Sequence, residues 1–274
     1  MKKNKQIGGL HLNILKSVDR IYNSSSILGT PGNHYLKIEL FDDNDFVITQ
    51  LGSLICMNSG IEKADIHFDG ILNGFQKIFA GEPLFYQLYS GKKNKNGYLY
   101  LGSNFLNSII VIKIKKGNIF RLSRNSFLAS TGNIKISFTF KFKGIFEIGQ
   151  EEGFILPTAE CVIGDYGYIW LCAYGNLERI NIPINDYIII DNGVFLACNN
   201  KYEYTISKLG KTLFSSFFGG EGFGMKFIGV DNDTHIYIQT KNINDFLVKE
   251  TTTENTANNG ELLDNAINFF TDNN

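Results

Sequence analysis

Three glutamates recur at matching points of the chain, and a repeated acid is the first place to look for chemistry. Gly81-Glu82-Pro83-Leu84-Phe85 leads to Tyr98-Leu99-Tyr100-Leu101, Glu151-Glu152-Gly153-Phe154 leads to Tyr168-Ile169-Trp170-Leu171, and Gly219-Gly220-Glu221-Gly222-Phe223 leads to Ile236-Tyr237-Ile238-Gln239-Thr240. Each glutamate precedes its strand by about sixteen residues, and self-similarity at a fixed spacing marks a repeat. Paired carboxylates do general acid–base work only when they face one another across one site. Glu82, Glu152 and Glu221 instead fall one to a unit, so each does the same local job, such as accepting turn amide hydrogens. Gly81, Gly153, Gly220 and Gly222 beside them supply positive φ or close backbone approach. These residues read as structural marks of a repeat, and no catalytic residue is assigned.

Other reactive groupings fail on inventory. His11, His34, His67 and His235 are isolated, with neither HxH nor HExxH, so no metal site is expected. Gly-x-Ser-x-Gly, GxGxxG and GxxxxGK[ST] are missing, and no cofactor is expected either. Cys56, Cys161, Cys172 and Cys198 lie in apolar strand-like runs without CxxC pairs, as buried reduced thiols do. Asp42-Asp43-Asn44-Asp45 lacks the glycine and closing glutamate of a calcium loop and reads as a solvated hairpin turn. Lys92, Lys93 and Lys95 form a candidate anion or nucleic-acid patch in a turn, and Lys113, Lys115 and Lys116 cluster at a strand end. Against a nucleic-acid partner, 26 basic and 27 acidic residues leave a net charge of −1 and no global field to attract a polyanion.

The elements that position these residues are strands. Phenylalanine (23) and tyrosine (13) are abundant and proline (4) is scarce, which favours pleated, half-buried surfaces. Apolar runs such as Ile109 to Ile112 and Tyr187 to Ile190 fall far short of the roughly 20 residues that span a bilayer as a helix. Three units of about seventy residues can be laid over one another, each opening with an apolar strand: Gly52 to Met57, Ser126 to Ser130 and Val194 to Cys198. An alternating strand follows, through Ala64, Ile66 and Phe68, then Ile134 to Phe142, then Tyr202, Tyr204 and Ile206. The expected fold is all-β: three tandem β-sandwich-like repeats in a pseudo-threefold arrangement over residues 34–241, divided at about 110 and 180. Two connectors are unusually apolar. Phe75 and Phe79 in one, and Phe214, Phe217 and Phe218 in the other, offer a partner or membrane patch if exposed and ordinary core if packed between repeats.

Residues 1–33 are basic and acid-poor, and Ile7, Leu10, Ile14, Leu15, Val18 and Ile21 fall at helical spacing. Arg20-Ile21-Tyr22 before Asn23 is similar to a presequence cleavage site, so a mitochondrial presequence ending near Asn23 stands beside a plain first strand, Leu10 to Leu15. Residues 242–274, acidic and rich in Asn and Thr, read as a disordered tail.

Gly52 to Met57, Gly81-Glu82, Phe127 to Ser130, Ala173-Tyr174-Gly175, Val194 to Ala197, Gly220 to Phe223 and Gln239-Thr240, in that order and spacing, resemble the altered inheritance of mitochondria protein 24 family. The chain departs from that pattern at Asp231-Asn232-Asp233, in a short middle connector, and in both tails. The resemblance implies a fold similar to the tryptophan RNA-binding attenuator protein, a relative of the double-stranded β-helix, tripled within one chain. It implies no catalytic residues and a non-enzymatic structural or assembly role at a mitochondrial inner-membrane complex, with protein partners and room for oligomerisation. The alternative is a ligand- or RNA-binding β module, which would be cytoplasmic. RNA binding does not follow from the fold.

Overall fold

The computed structural model describes residues 17–64, 86–103, 106–123, 126–139, 156–199, 202–208 and 223–242. Residues 17–23 are helical and lead into β1 (Ser25–Thr30). Then follow β2 (Asn33–Leu40), β3 (Phe46–Gln50), β4 (Leu54–Met57), β5 (Ile61–Ala64), β6 (Tyr86–Gly91) and β7 (Gly97–Leu101). Six more are β8 (Ser108–Lys115), β9 (Ile119–Leu122), β10 (Phe127–Thr131), β11 (Ile134–Thr139), β12 (Leu156–Cys161) and β13 (Tyr166–Ala173). Among the described residues there follow β14 (Leu177–Asn181), β15 (Tyr187–Asp191), β16 (Phe195–Asn199), β17 (Tyr202–Lys208), β18 (Phe223–Gly229) and β19 (His235–Gln239), with a 3-10 turn at Asn192–Val194.

One pairing order occurs three times. β2–β7–β4 is matched by β8–β13–β10 and β14–β19–β16, and β5–β6–β3 by β11–β12–β9 and β17–β18–β15. β10 joins β3 and β16 joins β9, giving sheets β1-β2-β7-β4, β5-β6-β3-β10-β13-β8, β11-β12-β9-β16-β19-β14 and β15-β18-β17. The ladder is interrupted at the same place each time, between Leu54 and Cys56, Phe127 and Ala129, and Phe195 and Ala197. A bulge of this kind bends and twists the strand that carries it.

Period-two side chains explain how sheets pack on both faces. In β13, Trp170 and Cys172 enter the core beneath the β1-β2-β7-β4 sheet, with Leu36, Ile38, Leu99 and Leu101. Their neighbours Ile169 and Leu171 point the other way, into a core with Phe120, Leu122 and Ala159 of the next sheet. β13 is therefore buried almost throughout, and its run of apolar residues is what a strand covered on both sides requires. A third core joins Phe195 and Ile236 to Met225 and Phe227 of the three-stranded sheet.

Three sequence expectations need correction. The segment from residue 17, assigned above to an extension, is packed onto the domain: Val18 and Ile21 are buried, and β1 pairs along its length with β2. Cys56 is exposed while the other three cysteines are buried, because β4 is an edge strand with no neighbour beyond it among the described residues. The turn Asp42–Asp45 does join β2 to β3, yet Asp45 is wholly buried and is not part of a solvated turn. Among the described residues, no helix is long and apolar enough to cross a membrane.

Candidate functional site

The lysine turn lies between β6 and β7. Lys92 donates its N–H to the Gly60 carbonyl at 2.8 Å, Lys95 closes the turn onto the Lys92 carbonyl at 3.1 Å, and Asn94 takes φ 61°. Asparagine tolerates that left-handed conformation better than most residues, which lets the turn project Lys93 and Lys95 into solvent. The adjoining turn is acidic. Gly91 N–H reaches the Asp45 carbonyl, and the hydrogen bond shared with Asp42, then burial, raise the Asp43 carboxyl above its ordinary value, with Lys93 acting against the shift. The bonds Asp42 shares with Asp43 and Asn44 hold its carboxyl at about 2, so it is anionic at neutral pH. Lys92, Lys93 and Lys95 are thus brought together as expected from sequence, but beside fixed negative charge that opposes a phosphate.

A second cluster, not visible from sequence, fixes the helix at 17–23. Arg20 donates from Nε to Asp45 Oδ1 at 3.1 Å and pairs with the same oxygen through a terminal guanidinium nitrogen. Asp45 Oδ2 also accepts from the N–H groups of Phe41 (2.8 Å) and Asp42 (3.2 Å). Tyr22 stacks on Tyr168 with ring centres 4.0 Å apart, and Tyr166 donates its hydroxyl to Asp19 at 2.7 Å. Lys113 sits over the Tyr166 ring at 3.4 Å, a cation–π contact at the edge of the same cluster. Burial, and then the Asp19 charge, push the Tyr168 hydroxyl up to about 12, so it stays protonated and inert. The partners lie up to 147 positions apart, a separation at which no local sequence signal exists.

Buried polar groups elsewhere serve hairpins. Asn133 donates to the carbonyls of Ile163 (2.9 Å) and Tyr166 (2.7 Å) and accepts from Thr131 at 2.6 Å. A Cβ on Gly167 would stand 2.6 Å from the Asn133 amide oxygen, so this glycine is required by close approach. Among the described residues, no group of three His, Cys, Asp or Glu side chains could hold a metal ion. The repeat marks Gly81, Glu82, Glu152, Gly153, Gly220, Glu221 and Gly222 lie outside the described residues, as do Phe75, Phe79, Phe214, Phe217 and Phe218.

Two buried cysteines are also poor nucleophiles. Burial pushes Cys172 up to about 12 and Cys161 to about 11. An unfolded thiol loses its proton near 9, so between pH 9 and 12 the folded state holds more protons, and stability falls as pH rises. Unfolding free energies from urea denaturation should fall between pH 8 and 11 by an amount on the order of a few kcal/mol, and Cys172→Ala should flatten the slope. An equally steep slope in that variant would assign the loss to other groups.

What the fold defines, then, is a class: an all-β protein of shared antiparallel sheets, whose described polar clusters hold elements together. The profile of the mitochondrial biogenesis AIM24 family matches residues 25–241, and the chain belongs to that family. The match begins at β1 and ends just past β19, so it takes in every strand described above. Among solved structures, the crystal structure of protein SPYM3_0169 from Streptococcus pyogenes is similar with a TM-score of 0.64 and 22% identity, over 83% of this chain and 98% of that one. That likeness concerns the fold alone. No curated protein matches the chain.

Proposed function

We propose that the protein is a non-enzymatic assembly protein in mitochondrial biogenesis, acting in the organisation of an inner-membrane complex. The observation that carries this is the family match across the whole array of sheets. The threefold recurrence of one pairing order supports three successive units of the attenuator-protein-like kind. The exposed lysine turn favours the alternative, a ligand- or RNA-binding module, but the neighbouring carboxylates weaken it. Any processing of a targeting segment falls before residue 17, since a cut at Asn23 would strip Val18, Arg20 and Ile21 from the domain.

Locating the tagged protein in its own cells, and sequencing the N-terminus of the mature form, tests the reading. A mitochondrial signal with a start no later than residue 17 is expected. A cytosolic protein that keeps Met1 would sink the mitochondrial role. A mitochondrial form beginning near Asn23 would keep the role and remove the structural part assigned to the helix.

A further inference from the structure

We propose that the chain assembles head to tail with further copies of itself, β4 of one copy adding edge-on and antiparallel to β15 of the next. The inference rests on sheet pairing alone, so the mitochondrial reading could fail without affecting it.

Twice within the chain, one unit is joined to the next in the same way. β10 lies antiparallel to β3, with Ala129 opposite Thr49, Ser130 opposite Ile48 and Thr131 opposite Val47. β16 lies antiparallel to β9, with Ala197 opposite Leu122, Cys198 opposite Arg121 and Asn199 opposite Phe120. β4 is the counterpart of β10 and β16, because each pairs on its other side with the last strand of its unit and each carries the same bulge. β15 is the counterpart of β3 and β9, since it pairs on its other side with β18 as they do with β6 and β12. Yet among the described residues β4 ends one sheet and β15 ends another. Each end of the array therefore presents one half of a joint that the interior completes twice.

The surfaces of these two strands carry the mark of a missing neighbour. β10 and β16 are buried at every residue, whereas β4 is exposed at every residue, with Ile55 at 59% and Met57 at 42%. On β15, Tyr187 and Ile189 are 55% and 43% exposed. An exposed apolar edge is a template for strand addition, and proteins that avoid it place charge there. Of the other strands that end sheets, β5, β8, β11, β14 and β17 carry lysine, arginine or glutamate and β1 carries no charge, while β4 has no charged residue and β15 only Asp191 at its end.

The internal joints also fix the register. Cys56 follows the bulge as Ala129 and Ala197 do. Ile188, opposite Phe227, matches Val47 opposite Tyr89 and Phe120 opposite Ala159. Carrying the pairing over places Cys56 opposite Ile190, Met57 opposite Ile189 and Asn58 opposite Ile188 of the neighbouring copy. A joint between unlike surfaces closes into a ring or runs on as a filament, according to the rotation it imposes.

Cross-linking tests both partner and register. With Cys56→Ser removing the exposed native thiol, one chain carries Met57→Cys and a second, differently tagged chain carries Ile189→Cys. Mixed and oxidised, the two should form a disulfide-linked heterodimer, and neither should dimerise comparably alone. A chain carrying both cysteines should give a ladder of covalent oligomers. A disulfide formed only within single chains would show that the array closes on itself, and no disulfide would show that another segment covers the edge; either overturns the proposal. By sedimentation, the wild-type chain should form species above 30.8 kDa that grow with concentration. Met57→Lys, at an exposed position, should keep its circular dichroism and weaken association by about tenfold or more. A wild-type chain that stays monomeric at every concentration would also end the idea.

Discussion

Replacing Arg20 by alanine should cost about 3–5 kcal/mol, the range for leaving a buried charge without its partner. The partner is Asp45, whose side chain is wholly buried while that of Arg20 keeps 40% of its exposure. Because Arg20 is partly in water, the effect belongs at the lower end of the range. Asp45→Ala acts differently. It frees Arg20 to turn into solvent but leaves the N–H groups of Phe41 and Asp42 without their acceptor, at about 1–3 kcal/mol for each one left buried. The two changes share one network, so the double variant should lose less than their sum. Urea denaturation of the three variants measures this, and an Arg20→Ala chain within experimental error of the wild type would show that the helix at 17–23 contributes nothing to the domain. A chain shortened to begin at residue 24 gives an independent check against one that begins at residue 17: it should lose the burial of Val18 and Ile21 together with the ion pair.

Trp170→Ala should be as damaging, at about 3–5 kcal/mol. Trp170 is 1% exposed, lies on β13 between β10 and β8, and faces Ala129 and Val111 across the two ladders. Truncation would open a cavity in the core that binds the first sheet to the second, and the sheet on its other face, filled by Ile169 and Leu171, leaves little room for collapse. Trp170→Phe keeps most of the volume and should cost distinctly less. As the single tryptophan, Trp170 also reports on unfolding by its own fluorescence, whose emission should shift to the red as the β13 core opens. An alanine variant of native stability would mean that the first two sheets are not packed through this residue.

How much of this was legible beforehand depends on the range of the interaction. Alternation from Ile134 to Phe142 and through Tyr202, Tyr204 and Ile206 marked β11 and β17, because side chains of a pleated strand reach opposite faces every second residue. The recurring short runs at Tyr98 to Leu101, Tyr168 to Leu171 and Ile236 to Thr240 marked β7, β13 and β19, and the apolar openings at Leu54, Phe127 and Phe195 marked β4, β10 and β16. The lysine turn at 92–95 was equally plain, since hairpin connections are written in a few adjacent residues. The acidic turn shows the limit. Nothing in Asp42-Asp43-Asn44-Asp45 distinguishes the one carboxylate that Arg20 draws into the interior from those that face water.

By itself, then, the sequence determined the all-β class, the repeated order of strands and the absence of familiar catalytic signatures, all of which are written in local spacing and residue type. The tertiary structure alone decided which of three similar apolar strands would be buried. Leu54 to Met57, Phe127 to Thr131 and Phe195 to Asn199 look alike as text, but β10 and β16 find β3 and β9 beside them while β4 finds no such neighbour among the described residues. Burial is a property of what stands next to a strand in space, and for the first and last units of an array that neighbour is not written in the spacing.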